Sequence, residues 1–134
     1  THPEGALAHV PAGPARDDAR RRLDEVCGVA RKVLQRGVPL LAGTDAMHGG
    51  LAHELATLQD LGGAPPLLLR AATGNAARAL GLADEIGTVR AGAAADLVAV
   101  RGNALQDVRC LAEVLLVVQG GRIVWQRRAP DVEC

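Results

Sequence analysis

The sequence predicts an α/β unit over residues 1–82, followed by an all-β unit over residues 83–134. Three observations lead there. A helix-period stripe of apolar residues runs into a short apolar stretch bounded by glycines, and a second helical stripe follows it. Helix, tight turn, buried strand, loop and helix in that order are the mark of an α/β arrangement. Beyond about residue 83 the periodicity changes to short β-type runs separated by glycines. The length of 134 residues suits one ordinary domain or two small ones.

Residues 1–16 are rich in Pro, Ala and Gly and read as loop. Asp17 and Asp18 then mark a helix start, where a carboxylate complements free N–H groups and the helix dipole. Leu23, Val26, Cys27, Ala30, Val33 and Leu34 fall on one helical face, which predicts a helix over 17–36. Gly37 closes it and Pro39 prevents its resumption. The run from Val38 to Ala42 reads as a strand buried on both faces. Leu51, Leu55, Leu58 and Leu61 form the next helical stripe, ended by Gly62 and Gly63. Pro65 and Pro66 open a further helix that runs to Leu80, with a break near Thr73-Gly74-Asn75 and a left-handed cap at Gly81. Strands are predicted at Ile86–Val89, Asp96–Val100, Val114–Val118 and Ile123–Trp125, with Gly120-Gly121 as a hairpin turn.

Composition removes several classes of function. Lys plus Arg and Asp plus Glu are both 15, so the formal charge is zero and the footprint of a nucleic-acid binder is missing. Aromatic residues are 1%, which leaves no stacking platform for single-stranded nucleic acid and a core of Leu, Val, Ile and Ala. There is no Lys/Arg cluster for a membrane surface and no apolar run long enough to span a bilayer, and cytoplasm is the default compartment. The three cysteines, Cys27, Cys110 and Cys134, are far apart and form no CxxC, so neither a disulfide framework nor a zinc knuckle is expected. No Ser occurs, and Cys27 lies on an apolar helix face, which disfavours nucleophilic Ser or Cys chemistry.

The sharpest chemical candidate is Asp45. It follows the C-terminal end of the predicted buried strand, the edge at which ligands bind in parallel α/β sheets. A carboxylate there can ligate a metal or act as a general base. The same position also fits an Asp that caps the turn or the helix beginning at Leu51. His48 and His53 lie nearby and can contact substrate or orient Asp45, while the plainer reading of each is a surface or capping histidine. Their spacing is not that of two ligands on one helical turn. Gly49-Gly50 lacks the Lys-Ser/Thr of a phosphate loop.

On these residues the chain resembles the metal-dependent amidohydrolases, most nearly their imidazolonepropionase-like and prolidase-like branch. Gly37-Val38-Pro39-Leu40-Leu41-Ala42-Gly43-Thr44-Asp45-Ala46 is similar to the last barrel strand of that family. His53-Glu54-Leu55, Arg70-Ala71-Ala72-Thr73-Gly74-Asn75-Ala76-Ala77 and Leu80-Gly81-Leu82 follow in the family's order. Gly87-Thr88-Val89, Ala95-Asp96-Leu97-Val98 and Val117 to Val124 resemble its small β-sandwich and closing hairpin. The resemblance implies the C-terminal fragment of a (β/α)8 TIM barrel plus part of a small β-sandwich domain. It implies hydrolysis of a carbon–nitrogen bond, in an amide or dipeptide-like small molecule, through a metal-activated water. Asp45 is then both catalytic carboxylate and metal ligand, and His53 and His48 are substrate-proximal. The implied cofactor is a divalent metal, with zinc the first expectation.

The other ligands of that family would precede this chain: no His-x-His occurs, and Lys32 stands in a helix before the last strand. The expectation is therefore a truncated chain, inactive alone, with exposed edges through which it forms homo-oligomers. The alternatives are a non-catalytic α/β scaffold or partner-binding domain, and a small-ligand binder using the Gly43–Gly50 loop.

Overall fold

A computed structural model describes residues 7, 9–45 and 50–128. It is a mixed α/β structure. Helix α1 spans Pro14–Gln35, α2 Leu51–Asp60, α3 Pro65–Ala72 and α4 Gly74–Ala79. Strands β1 (Leu97–Val100), β2 (Val114–Gln119) and β3 (Arg122–Gln126) follow, with a 3-10 helix at Val108–Ala112 before β2.

The first helix starts three residues earlier than the acidic pair indicates. Pro14 occupies its first turn, where the missing N–H costs no hydrogen bond. Leu23, Cys27, Ala30 and Leu34 turn toward the protein, but Val26, on the predicted stripe, is 65% exposed. The core cluster joins Leu34 of α1, Leu55 of α2, Leu68 of α3 and Val108 of the 3-10 helix. Leu40, Ala42, Leu58 and Leu111 pack around it. Burying a Leu fully stabilises by about 1.5–3 kcal/mol. These contacts hold the three helices and the 3-10 turn as one body. Gly63, in the α2–α3 turn, sits so close that an added Cβ would meet the Leu58 carbonyl at 2.9 Å and Leu68 at 3.0 Å.

The predicted strand at Val38–Ala42 is corrected. The segment carries no strand pairing and runs alone between α1 and α2 in the sequence. Its side chains alternate: Leu40 and Ala42 pack on the core, while Leu41 is 61% exposed. It is thus covered on one face, and the main chain is tied to helices instead of to a neighbouring strand. The Ala42 N–H donates to the Ala71 carbonyl at 3.0 Å, and the Leu40 carbonyl accepts from Asn75 Nδ2 at 3.0 Å.

The predicted strand at Ile86–Val89 is corrected too. This stretch is a set of turns laid across α4, with Gly87 against Ala77 and Gly74. The remaining strands form one antiparallel sheet in the order β1-β2-β3. Gly120 and Gly121, at φ 54° and 77°, make the two-residue turn between Gln119 and Arg122. Both residues need the left-handed region, which suits a type I′ hairpin. The Gly120 N–H also donates to Asp96 Oδ1 at 2.7 Å, which pins the turn to the start of β1. Leu97, Val118 and Ile123 share one face of the sheet, and Val98, Val117 and Trp125 the other. Both faces are therefore apolar.

A polar joint fastens the 3-10 helix to α2. Gln59 Oε1 accepts from the Val108 N–H at 2.9 Å, and Gln59 Nε2 donates to Asp107 Oδ1 at 3.0 Å. Asp107 also caps the 3-10 helix by accepting from the Arg109 N–H at 3.0 Å. The Arg109 guanidinium reaches back to Asp60 at the end of α2. Val108, between these contacts, is fully buried.

Candidate active site

Asp45 stands three residues beyond Ala42, at the exposed end of the extended segment. Its place follows from the tethers just described. Leu40 and Ala42 are drawn onto the core, and their main-chain groups are bonded to the α3–α4 corner. The chain then leaves the protein body at Gly43, with Thr44 held by an interaction of its own. Asp45 is thus a carboxylate open to solvent, at the exit of an anchored segment. The capping role that its position also allowed is not assigned: α2 has no side-chain cap.

Of the two candidate histidines, His48 lies outside the described residues. His53 lies in the first turn of α2 and is exposed. Its carbonyl accepts from Thr57 Oγ1 at 3.1 Å, and its side chain borders a cavity of about 520 Å³ between α2 and the 3-10 helix. Ala56, Thr57, Asp60, Arg109 and Leu111 also line that cavity, and Asp45 does not. His53 and Asp45 therefore stand on either side of residues 46–50 in the sequence.

The described residues do not by themselves fit a metal ion. No group of three or more His, Cys, Asp or Glu side chains converges among them. A catalytic zinc ordinarily takes three protein ligands. Cys27 is buried and Cys110 half-buried, and neither forms a disulfide.

Two groups of polar residues escaped the sequence. Asn75 appeared there only as part of a helix break, yet its side chain reaches Leu40, 35 positions away. Gln59, Asp107 and Arg109 carry the joint between α2 and the 3-10 helix. An Asp just before a short helix is the one local signal that points to any of them.

Comparison with known proteins adds what the isolated geometry lacks. The model of the amidohydrolase family matches residues 6–124. Among solved structures, the chain is similar to a Xaa-Pro dipeptidase with bound methionine in its active site, at 26% identity and a TM-score of 0.77. The match covers 93% of this chain and 32% of that one. It is similar also to a prolidase complexed with N-methylphosphonate-L-proline, at 28% identity and a TM-score of 0.66, over 75% of this chain and 26% of that one. A phenylurea hydrolase B matches at 27% identity and a TM-score of 0.64, over 71% of this chain and 26% of that one. The chain thus spans a third or less of the length of each of these structures. A search of curated proteins gives no match.

Proposed function

We propose a function from the premise that this chain belongs to the amidohydrolase family. The chain contributes to hydrolysis of a carbon–nitrogen bond in a small amide or dipeptide-like substrate. The observation that carries this is the placement of Asp45, a solvent-open carboxylate at the end of a segment anchored within the matched region. An amide nitrogen is a poor leaving group until it is protonated. A carboxylate that takes a proton from the attacking water can return it to that nitrogen. Asp45 is the residue we assign to this transfer. His53 sits close in sequence, on the helix that follows, and we assign it to the substrate side of the site, together with His48.

Members of the family generally use divalent metal ions, and such an ion, when bound, would polarise the substrate carbonyl and lower the pKa of the attacking water. Zinc is the ion we propose, with Asp45 as one ligand. The described residues do not complete such a site. We accordingly propose that this stretch is the C-terminal part of a (β/α)8 barrel with strands of a β-sandwich, and that the rest of the site comes from further sequence.

Among the described residues no helix is long and apolar enough to cross a membrane. The unpaired thiols of Cys27 and Cys110 support a cytoplasmic location.

The test compares two proteins on Xaa-Pro dipeptides and N-acyl amino acids with added zinc or manganese. The 134-residue chain alone is expected to show no turnover. The product of the longest open reading frame containing it is expected to hydrolyse these amides. There, Asp45→Asn should lower kcat by about 10²–10⁴-fold, the usual contribution of a positioned proton carrier. Absence of C–N hydrolysis by the longer product, or full activity of its Asp45→Asn variant, overturns the assignment. A non-catalytic scaffold would leave both proteins inactive.

A further inference from the structure

We propose that Asn75 is a positioning residue for Asp45, acting through the Leu40 carbonyl; the inference rests on the catalytic assignment of Asp45 above. Asn75 is the second residue of α4 and is half-buried. Its amide is used at both ends. Nδ2 donates to the Leu40 carbonyl at 3.0 Å, and Oδ1 accepts from the Arg78 guanidinium one turn along the helix. The second bond orients the first. With the carbonyl end of the amide turned toward the Arg78 cation, the NH₂ end is left facing Leu40.

The place where this bond lands gives it its consequence. Among the described residues the extended segment has no neighbouring strand, so within this chain its direction depends on what grips its main chain. Asn75 grips it at Leu40, and the last turn of α3 grips it two residues later, where the Ala42 N–H meets the Ala71 carbonyl. Two anchors on one short extended run fix both its position and its twist. Asp45 lies three residues past the second anchor, so the direction in which the chain leaves Ala42 sets where it starts.

Only an amide fits both contacts. Aspartate has the same shape and keeps an acceptor for Arg78, but it has no hydrogen to give Leu40. Glutamine carries the same groups one methylene further out.

The test is amide hydrogen exchange on the protein and on Asn75→Asp. Net loss of one hydrogen bond corresponds to about a three- to tenfold change in a local opening equilibrium. Exchange of the Ala42 N–H, which is bonded to the Ala71 carbonyl, should accelerate by about that factor. The amides of Leu55 and Leu68, in the core, should stay within about twofold of the parent. Equal acceleration everywhere would mark Asn75 as a general stability residue, and no acceleration at Ala42 would mark the bond as idle; either result overturns the proposal. Should Asn75→Asp fail to fold, Arg78→Met decides: faster exchange confined to 41–45 supports the proposal, and unchanged exchange there overturns it.

In the longer, active protein the same substitution should lower kcat while KM stays within about twofold, since a misaimed proton carrier weakens the transition state more than substrate binding. An unchanged kcat overturns the proposal. A wild-type protein without hydrolysis instead removes the catalytic assignment of Asp45, and the exchange result still decides whether Asn75 holds the segment.

Discussion

Asp107 shows how much one exposed side chain can organise. Its carboxyl is held below the ordinary aspartate value of 3.8, first by the Arg109 N–H it accepts from. The Gln59 amide and the Arg109 guanidinium add to this, while partial loss of water opposes it. A carboxylate whose pKa is depressed on folding contributes stability above its unfolded value and loses it as pH falls through its folded value. The loss should therefore begin near pH 4 and be complete below the lowered folded pKa. Thermal melts of the protein and of Asp107→Asn should differ at pH 6 and converge as pH falls through the lowered folded pKa. A gap that stays constant with pH would show that the carboxylate charge is not what Gln59 and Arg109 recognise. The contrast with Asp45 explains which residues could be read in advance. Asp45 announces itself locally, because an apolar run bounded by glycines says where its carboxylate emerges. Asn75 and Gln59 carry no such signal. Their partners are 35 and 48 positions away, and only the fold brings them together.

Helices and hairpin were readable because each carries its own period and punctuation. Pro65 and Pro66 open α3, Thr73 breaks the helical run, and two adjacent glycines turn β2 into β3. The apolar runs at Val38–Ala42 and Ile86–Val89 share composition with strands, but a strand also needs a neighbour. The first has only helix ends beside its main chain, and the second is bent by packing. Gly87, at φ 87°, lies so close to α4 that an added Cβ would meet Ala77 Cβ at 2.6 Å and the Thr73 carbonyl at 3.1 Å. Gly87→Ala must then accept a left-handed conformation, costing about 1–2 kcal/mol, and an overpacked contact, costing about 1–3 kcal/mol. Its unfolding free energy should fall by about 2–5 kcal/mol in a denaturant titration. A change under about 0.5 kcal/mol would mean that the turn is free to lift away from α4.

The surface of the chain is too large and too apolar for the core that supports it. Its accessible area is 9735 Å², whereas a compact monomer of 13.8 kDa exposes about 6600 Å². The excess has a location as well as a size. Val26 and Val29 on α1 and Leu41 in the extended segment are each more than 60% exposed. On the sheet, Val98, Ile123 and Trp125 are 59%, 63% and 47% exposed, and they divide between its two faces. An antiparallel sheet can leave one polar face in water, but this one has no polar face to leave. Among the described residues its outer strand, β3, also presents an unpaired edge. Apolar faces and an open edge together favour association with other chains. In sedimentation velocity the isolated chain should therefore associate as concentration rises. Ile123→Lys puts a charge on both the apolar face and the edge strand, and should weaken that association by about tenfold, or 1.4 kcal/mol. It should leave the melting temperature almost unchanged, because Ile123 takes little part in the core. A monodisperse monomer that melts cooperatively across the concentration range would show that these faces are covered from within the chain, and the need for a neighbouring surface would disappear.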